Sequence, residues 1–437
     1  MASTYIYRNN DATAGSGYTP TWTWSAWVKR GTLGEQGLFM NRRIDHVSNS
    51  RMRFYFSSAD RLAMEVKDST SGDDSFFQTN KLFRDVNAWY HIVLAYDTTE
   101  SAENDRIKLW INNEEVDSWE QFNRAGSTFE MLFSSATRSM LGIMTNNSNA
   151  DFMFDGSMSH VHFIYGTAYT PSAFGETDAT TGEWKIKTSP SVTYGTQGFF
   201  VLKDGNSATD QSGQSNNMTI DGGTLTKTED CPSNVFATLN PLSSGTDFVF
   251  SNGNNTIINS TSNWNSVLGT LAFGTGKYYF EAQRISANGT ANIGITLSSK
   301  FGGNHSGVDT GRIMYSSNGN VYKDAWSGLS NNTSGGTFGS GDIIGVSLDT
   351  ENGILKFYKN GALVDTTTNS LLLSSNNEFI PALACYQSAH WRVNFGNGYF
   401  ADNAVSSAGT NASGNGIFEY DIQPTDATAL STKGLNL

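Results

Sequence analysis

The sequence predicts an all-β protein with more than one hydrophobic core. Its 437 residues exceed the usual size of a single domain, so we expect two or three compact units. The 27 Phe, 17 Tyr and 10 Trp supply bulky core side chains, and the 44 Gly supply turns between short strands. No stretch repeats apolar residues with the period of a helix, so helices are expected to be few and short.

Charge and hydropathy argue against two classes of partner. The 28 basic and 41 acidic side chains give a formal net charge of -13, which repels nucleic-acid phosphates and anionic lipid headgroups. The first residues, MASTYIYRNN, do not resemble a signal peptide, and no run of about 18 apolar residues occurs that would span a membrane. We therefore expect a soluble protein, made in the cytoplasm, that binds no nucleic acid and does not insert into membranes.

Strand patterns dominate the first part of the chain. TWTWSAWVK alternates an apolar face, which includes Trp22 and Trp24, with a polar face, and this predicts a half-buried strand. AWYHIVLAYD is apolar on both faces, which favours a central strand, and RIKLWI alternates before a turn at Asn112 and Asn113. The run FDGSMSHVHFIYGTAYTP contains two further strand-like parts. Together these segments predict one β-rich domain.

A change of composition marks a domain boundary. Residues 203–245 are dense in Gly, Asn, Ser and Asp and contain few apolar runs of strand length. Strand patterns then resume in GKYYFEAQRIS, NIGITLS and DIIGVSLDTENGILKFYKNGALV. In the last of these, turns at Asn352–Gly353 and Asn360–Gly361 separate three alternating runs, which predicts a β-meander.

The strand segments resemble two known families in order and spacing. TWTWSAWVKR, AWYHIVLAYD, DRIKLWINNEEV and FDGSMSHVHFIYGTAYTP look like the ordered motifs of laminin-G-like, concanavalin A-like lectin domains, over residues 1–225. GKYYFEAQ, NIGIT, GDIIGVSLDTENGILKFYKNG and IPALACYQSAHWRVNFG resemble the SPRY domain, over residues 246–400. The resemblance implies two antiparallel β-sandwiches, a concanavalin A-like jelly roll and then a SPRY-type sandwich. A linker at 226–245 joins them, and a C-terminal extension follows at 401–437.

The joining and closing segments resemble proteins of marine tailed phages that carry these two modules in tandem. This resemblance implies a virion protein, assembled in the host cytoplasm, of the fibre-tip, knob or decoration type. Its partners would be other virion proteins, further copies of itself in the particle, and a host-surface polysaccharide or receptor. An alternative is a capsid or tail scaffold that binds only its neighbours.

One motif raises the alternative of a polysaccharide hydrolase. Glu115, Asp117 and Glu120 form a Glu-x-Asp-x-x-Glu pattern that resembles laminarinase-type glycoside hydrolases. Two carboxylates on one strand face can serve as nucleophile and acid/base in a retaining mechanism. The motif directly follows a hairpin turn and lacks an aromatic-lined cleft, so we assign no catalytic residue and expect no enzymatic activity. Glycine-rich phosphate loops and a Gly-x-Ser-x-Gly motif are also absent from the sequence.

An acidic loop between two predicted strands is a candidate calcium site. Carboxylate oxygens are the ligands that calcium prefers, but the spacing is not specific, and a solvated hairpin tip explains it equally. The candidate ligands are Asp97, Glu100, Glu103 and Asp105. No other cofactor is expected.

Three histidines lie within strand patterns. His160 and His162 are spaced to share one strand face, which allows a His-x-His metal pair, but no third ligand follows and packing explains them better. His91 lies in an apolar strand and is expected to be a buried structural histidine.

In the SPRY-like part, the loops at 298–312 and 323–336 are candidates for recognition, since loops on a rigid sandwich often bind ligands. We expect His305, Tyr322 and Trp326 to stack on a sugar or a partner side chain. The alternative is that Tyr322 and Trp326 close the end of the core. Cys231 and Cys385 show no Cys-x-x-Cys spacing, so two free thiols are expected.

Overall fold

The computed structural model describes residues 4–10, 18–44, 51–67, 74–123, 131–132, 136–145, 151–179, 182–203, 207–286, 288–300, 311–323 and 333–436. The chain folds as two compact units, Met1–Lys227 and Thr228–Leu437. The all-β prediction is confirmed, because the only helices in the described residues are three-residue 3-10 turns, at Glu103–Asp105, Pro171–Ala173, Ser298–Lys300, Ser370–Leu372 and Gly434–Asn436. None of the described helices is long and apolar enough to cross a membrane.

The first unit contains twenty strands in its described residues. They are β1 (Tyr5–Asn9), β2 (Tyr18–Thr19), β3 (Thr21–Arg30), β4 (Gln36–Arg43), β5 (Arg51–Phe56), β6 (Arg61–Lys67), β7 (Asp74–Leu82), β8 (Trp89–Asp97), β9 (Ile107–Ile111), β10 (Glu114–Glu115), β11 (Trp119–Asn123), β12 (Met131–Leu132), β13 (Thr137–Leu141), β14 (Ile143–Thr145), β15 (Asp151–Met153), β16 (Gly156–Tyr165), β17 (Gly175–Thr177), β18 (Trp184–Ile186), β19 (Phe199–Val201) and β20 (Thr219–Asp221).

These strands form a sandwich of two antiparallel sheets. One sheet has the order β11-β7-β6-β5-β4-β13-β1-β20, and the other has the order β10-β9-β8-β3-β16-β19. Alternate residues of both sheets fill one core between them; it includes Trp24, Phe39, Phe54 and Phe163. Three two-stranded sheets, β12-β2, β14-β15 and β17-β18, are separate from these two sheets.

The strand predicted to be half buried is instead buried on both faces. Trp22 and Trp24 point into the core as the alternation predicts, while Thr23 and Ser25 on the opposite face are also fully buried. A second apolar cluster, which includes Phe174 and other residues of the segment after β16, covers this outer face of the six-stranded sheet. The covering segment is distant in sequence, so local alternation does not reveal it.

The second unit contains seventeen strands in its described residues. They are β21 (Leu239–Ser244), β22 (Phe248–Ser251), β23 (Thr256–Asn259), β24 (Asn265–Gly269), β25 (Lys277–Arg284), β26 (Thr290–Leu297), β27 (Arg312–Ser316), β28 (Asn320–Lys323), β29 (Thr333–Ser334), β30 (Ile343–Asp349), β31 (Ile354–Lys359), β32 (Ala362–Thr368), β33 (Phe379–Tyr386), β34 (His390–Asn394), β35 (Tyr399–Phe400), β36 (Asn403–Ala404) and β37 (Thr428–Ala429).

Two sheets again enclose one core. The seven-stranded sheet has the order β21-β24-β33-β26-β27-β28-β29, and the eight-stranded sheet is formed by β22-β23-β34-β25-β30-β31-β32 with β37 paired to β25. The predicted meander is present as β30-β31-β32. Asn360 and Gly361 form its two-residue turn with φ of 48° and 79°, the positive values that a tight hairpin turn needs.

The segments on either side of the second core differ from their sequence-based description. Residues 226–245, expected to be a linker, contribute β21 to the seven-stranded sheet and bury Phe236 and Leu239. Residues 401–437, expected to be an extension, contribute β37, which pairs in parallel with β25. Both segments are rich in turn residues and have few apolar side chains. Those apolar side chains pack against residues that are distant in sequence and come close only when the sheets form.

Candidate binding surfaces

The acidic loop of the first unit does not form a metal cluster. Oδ1 of Asp97 accepts hydrogen bonds from the backbone and hydroxyl of Thr99, and Asp105 lies 3.2 Å from Nζ of Lys108. Glu100 and Glu103 are exposed. Within the described part of the chain, no three His, Cys, Asp or Glu side chains are arranged to hold a metal ion. The loop therefore has the geometry of a solvated hairpin tip.

The two carboxylates of the hydrolase hypothesis lie on different sheets. Glu115 ends β10 of the six-stranded sheet, whereas Glu120 lies in β11 of the eight-stranded sheet. Their side chains are 52% and 54% exposed and face Lys108 at 3.7 Å and Arg61 at 3.4 Å, respectively. The hydrolase alternative requires them to share one strand face, and they do not, because the chain crosses from one sheet to the other between them.

His91 is a neutral structural side chain, as predicted. The indole Nε1 of Trp184 donates to its Nδ1 at 2.9 Å, and its Nε2 lies 3.0 Å from the hydroxyl of Ser25. An indole N–H only donates, so Nδ1 accepts, the ring proton is on Nε2, and Nε2 donates to Ser25. Burial lowers the pKa of His91 to about 3. The ring also stacks on Trp27 at 4.9 Å.

The predicted His-x-His pair is interrupted by a β-bulge. The register between β16 and β3 shifts between Ser159 and His162, and His160 adopts a φ of 50°. His162 is buried, with Nδ1 2.9 Å from the hydroxyl of Tyr194, and burial lowers its pKa well below the usual range. The extra residue breaks the two-residue repeat, so the pair does not share one strand face by alternation.

A row of basic side chains crosses the outer face of the eight-stranded sheet of the first unit. The strand register places Arg138 opposite Arg42, Arg42 opposite Arg51, and Arg51 opposite Lys67. Their alternate neighbours point into the core, so these four side chains lie on the opposite, outer face. We call this set the basic row. All four residues are half buried.

The basic row has both aromatic and acidic neighbours. Arg138 lies over the ring of Tyr7 at 4.2 Å and donates to Asn9 at 2.9 Å. Arg51 lies 2.7 Å from Oε1 of Glu65, whose other oxygen is bound by Arg53 at 2.5 Å. Arg42 donates to Thr145 at 2.9 Å, and burial is the main cause of its lowered pKa.

In the second unit, Tyr322 lies on the outer face of the seven-stranded sheet. It is opposite Met314 in β27, and its hydroxyl accepts a hydrogen bond from Asn318 at 2.7 Å. Its neighbour Val321 points into the core, so Tyr322 does not close the core. His305 and Trp326 lie outside the described residues.

A buried carboxylate holds the C-terminal segment of the second unit. Glu281 is fully buried in β25 and accepts hydrogen bonds from the backbone N–H groups of Glu419 at 2.8 Å and Tyr420 at 3.0 Å. The hydroxyl of Tyr279 donates to it at 3.0 Å. Burial raises the pKa of Glu281 to about 7. In the sequence, the only sign of a special role for this residue is that a glutamate stands within the apolar run KYYFEAQ.

Comparison with known families agrees with these folds. Residues 3–173 match the concanavalin A-like lectin/glucanases superfamily, and residues 277–398 match the SPRY domain. The chain carries a concanavalin A-like domain followed by a SPRY domain. No curated protein matches the sequence.

Two solved structures show similarity to part of the chain. The SPRY domain of human HERC1 is 18% identical and covers 36% of this chain and 96% of its own, with a TM-score of 0.29. The PSpry domain of TRIM65 is 14% identical and covers 36% of this chain and 89% of its own, with a TM-score of 0.29.

The sheets of the SPRY domain extend beyond the matched residues. The match begins at β25 and ends at residue 398, whereas β23, β24 and β37 pair with strands inside it, and β22 and β21 pair in turn with β23 and β24. The free thiols expected from the sequence are confirmed, with Cys385 buried in β33 and Cys231 half buried.

Sequence reasoning missed the basic row of the concanavalin A-like domain. Its members come from four strands, β4, β5, β6 and β13, so no short motif contains them. In the sequence, each of the four residues lies on the polar face of a strand that alternates polar and apolar residues. The strand register that aligns the four residues is set by the tertiary structure.

Proposed function

We propose that this protein is a non-enzymatic component of a tailed-phage virion that binds a host-surface glycan or neighbouring virion proteins. The two domains are rigid sandwiches of a kind that holds binding loops and faces. Support for the phage setting comes from the joining and closing segments, which resemble proteins of marine tailed phages with the same domain order.

The separation of Glu115 and Glu120 onto different sheets supports binding without turnover. A retaining glycosidase needs its two carboxyl groups about 5 Å apart on either side of one bond. Here each carboxylate is exposed and faces its own basic partner, Lys108 or Arg61. This arrangement provides no paired acid and nucleophile.

A glycan array with the purified full chain tests the proposal, run once with calcium and once with a chelator. We expect saturable binding to bacterial surface polysaccharide that is unchanged by Glu115→Gln and by the chelator. Release of reducing sugar that stops in Glu115→Gln or Glu120→Gln would assign a hydrolase instead. Loss of binding in the chelator would show that binding requires a divalent cation.

A second candidate, a scaffold that binds only its neighbours, is favoured by one apolar patch. Val249 and Ile258 lie opposite each other on β22 and β23 and are 50% and 37% exposed. In the described sheet β22 is the last strand, and unpaired strand edges with apolar side chains favour association. Sedimentation at rising concentration tests this candidate. We expect association of the wild type and a monomer for the Val249→Thr, Ile258→Thr variant; a monomeric wild type would contradict it.

A further inference from the structure

A long loop near the C-terminus packs on the outer face of the eight-stranded sheet of the SPRY domain. Residues 405–427, all of which the structure describes, join β36 to β37 and contain no helix or strand. Loops of this length without secondary structure are uncommon in compact domains and are usually functional or disordered. Strand pairing holds both ends of the loop, since β36 pairs with β35 and β37 pairs with β25. We call residues 405–427 the latch.

Two side chains that lie opposite each other on the sheet bind the backbone of the latch. Glu281 in β25 is opposite Asn394 in β34, and both are fully buried. Nδ2 of Asn394 donates to the carbonyl of Ile417 at 2.8 Å. Glu281 accepts from the N–H groups of Glu419 and Tyr420. Side chains of the sheet therefore hold this part of the latch by its backbone.

A glycine on the other side of Glu281 makes room for a third donor. Gly345 in β30 is opposite Glu281, and a Cβ atom at Gly345 would lie 2.4 Å from the hydroxyl of Tyr279. Because that space is open, the Tyr279 hydroxyl reaches Glu281 at 3.0 Å. The ring of Tyr279 in turn packs against Phe418 of the latch at 5.1 Å. The carboxyl group and the aromatic contact thus form one docking site.

The charges that the latch brings to this site are all negative. Its ionisable side chains other than tyrosine are Glu419, Asp421 and Asp426. Burial is the main cause that raises the pKa of Glu281 to about 7, and the charge of Glu419 acts in the same direction. A buried carboxylate without a basic partner is costly, and release of the latch would return water to it. The titratable groups that face Glu281 are Tyr279 of β25, Tyr358 of β31, and Glu419 and Tyr420 of the latch, while β30 and β34 supply Gly345 and the neutral Asn394.

We propose that the latch is a pH-sensitive switch, which stays closed on the sheet while Glu281 is protonated and opens when Glu281 ionises, with the rest of the SPRY domain folded. Opening exposes the rings of Phe418 and Tyr279, which are both buried in the closed state. The switch goes beyond the proposed binding function and does not depend on which ligand is bound.

Hydrogen exchange of the native full chain, read by mass spectrometry from about pH 5 to about pH 8, tests the switch. The reporters are latch amides that are hydrogen-bonded in the closed state, those of Gly409, Glu419, Tyr420 and Ile422. After correction for the intrinsic exchange rate, their opening should increase about tenfold for each pH unit up to about pH 7 and then level off. The reason is that the pKa of Glu281 falls from about 7 to 4.5 on opening.

Amides in the centre of the domain provide the internal reference. The amides of β26 and β33 exchange only when the whole domain unfolds, so they should exchange at least about tenfold more slowly than the latch amides throughout this range.

Three variants test the role of the carboxyl group. Glu281→Gln cannot ionise, so its latch should open to the same extent at every pH. Glu419→Gln removes the neighbouring negative charge and keeps an oxygen acceptor for the N–H of Ser406, so opening should level off at a lower pH and be smaller at about pH 8. Glu351→Gln removes an exposed acid of the same domain and should keep the wild-type profile.

Three outcomes would overturn the inference. Equal exchange rates of latch and reference amides would show that the latch opens only when the whole domain unfolds. Opening of the wild type that does not change with pH would remove the link to ionisation. A wild-type profile in Glu281→Gln would assign the pH dependence to another group.

Discussion

Two groups of buried polar side chains in this protein have well-matched partners. His91 accepts from the indole of Trp184 and donates to Ser25, which fixes one neutral tautomer. Lys323 and Asp365 form a buried ion pair at 3.2 Å between β28 and β32, which belong to the two sheets of the SPRY domain. Buried charges of this kind are tolerated when they are paired, and removal of either partner lowers the stability of the folded state.

The buried and neutral His91 should stabilise the folded protein. We expect His91→Gln to lower the free energy of unfolding at neutral pH by about 1–3 kcal/mol, because hydrogen bonds and the stacking on Trp27 are lost. The pKa of His91 falls from 6.5 to about 3 on folding, so its contribution is present above pH 6.5 and is lost as the pH falls toward 3. The difference between the two proteins should therefore shrink in acid.

Urea unfolding from about pH 7 down to about pH 4 measures this difference. Ser25→Ala is a control that removes only the acceptor for Nε2. A difference between wild type and His91→Gln that stays constant over this range would contradict a neutral buried histidine.

The C-terminal segment is an element whose docking depends on one carboxyl group. Phe418 packs edge-on against Tyr279 at 5.1 Å, and Ile422 joins the same cluster on the outer face of the sheet. The backbone of this segment binds Glu281, and the other titratable groups around that carboxyl are Tyr279, Tyr358, Glu419 and Tyr420. Ionisation of Glu281 is therefore coupled to docking.

We predict that the SPRY domain loses stability as the pH rises through 7. The pKa of Glu281 rises from 4.5 to about 7 on folding, so its contribution is fully present below pH 4.5 and is lost above 7. Glu281→Gln is neutral at every pH and should remove this dependence, although it also loses hydrogen bonds.

Denaturant midpoints between about pH 6 and about pH 9 measure the effect. The exposed Glu351, changed to Gln, is the matched control and should keep the wild-type dependence. An identical pH profile for wild type and Glu281→Gln would refute the role of this carboxyl.

At the scale of the whole molecule, each unit has its own core. The core of the first unit includes Trp24 and Phe54, and that of the second includes Phe280 and Trp391. Cores of this kind are the physical basis of independently folding domains. β21 lies near the start of the second unit and β37 lies near its end, and both pair with strands of its two large sheets.

We predict that residues 1–227 and 228–437, expressed separately, each unfold cooperatively. A fragment of residues 246–400 should be less stable and prone to aggregation, because it lacks β21 and β37 and exposes the cluster around Tyr279. Circular dichroism melts compare the three fragments. Equal stability of 246–400 and 228–437 would show that the flanking segments contribute nothing to this domain.

The sequence by itself determined the all-β class, the meander with its Asn360–Gly361 turn, and the buried state of His91. These features are local, because alternation and turn chemistry act within a few residues. The order of the strand motifs also resembled that of two β-sandwich families.

Only the tertiary structure decided which distant residues meet. It separated Glu115 from Glu120, which the hydrolase alternative needs on one strand face, and it joined Glu419 and Tyr420 to Glu281. It also aligned the basic row, whose members are up to 96 positions apart, from Arg42 to Arg138. Register between strands depends on core packing across the whole sheet, and no single strand contains that information.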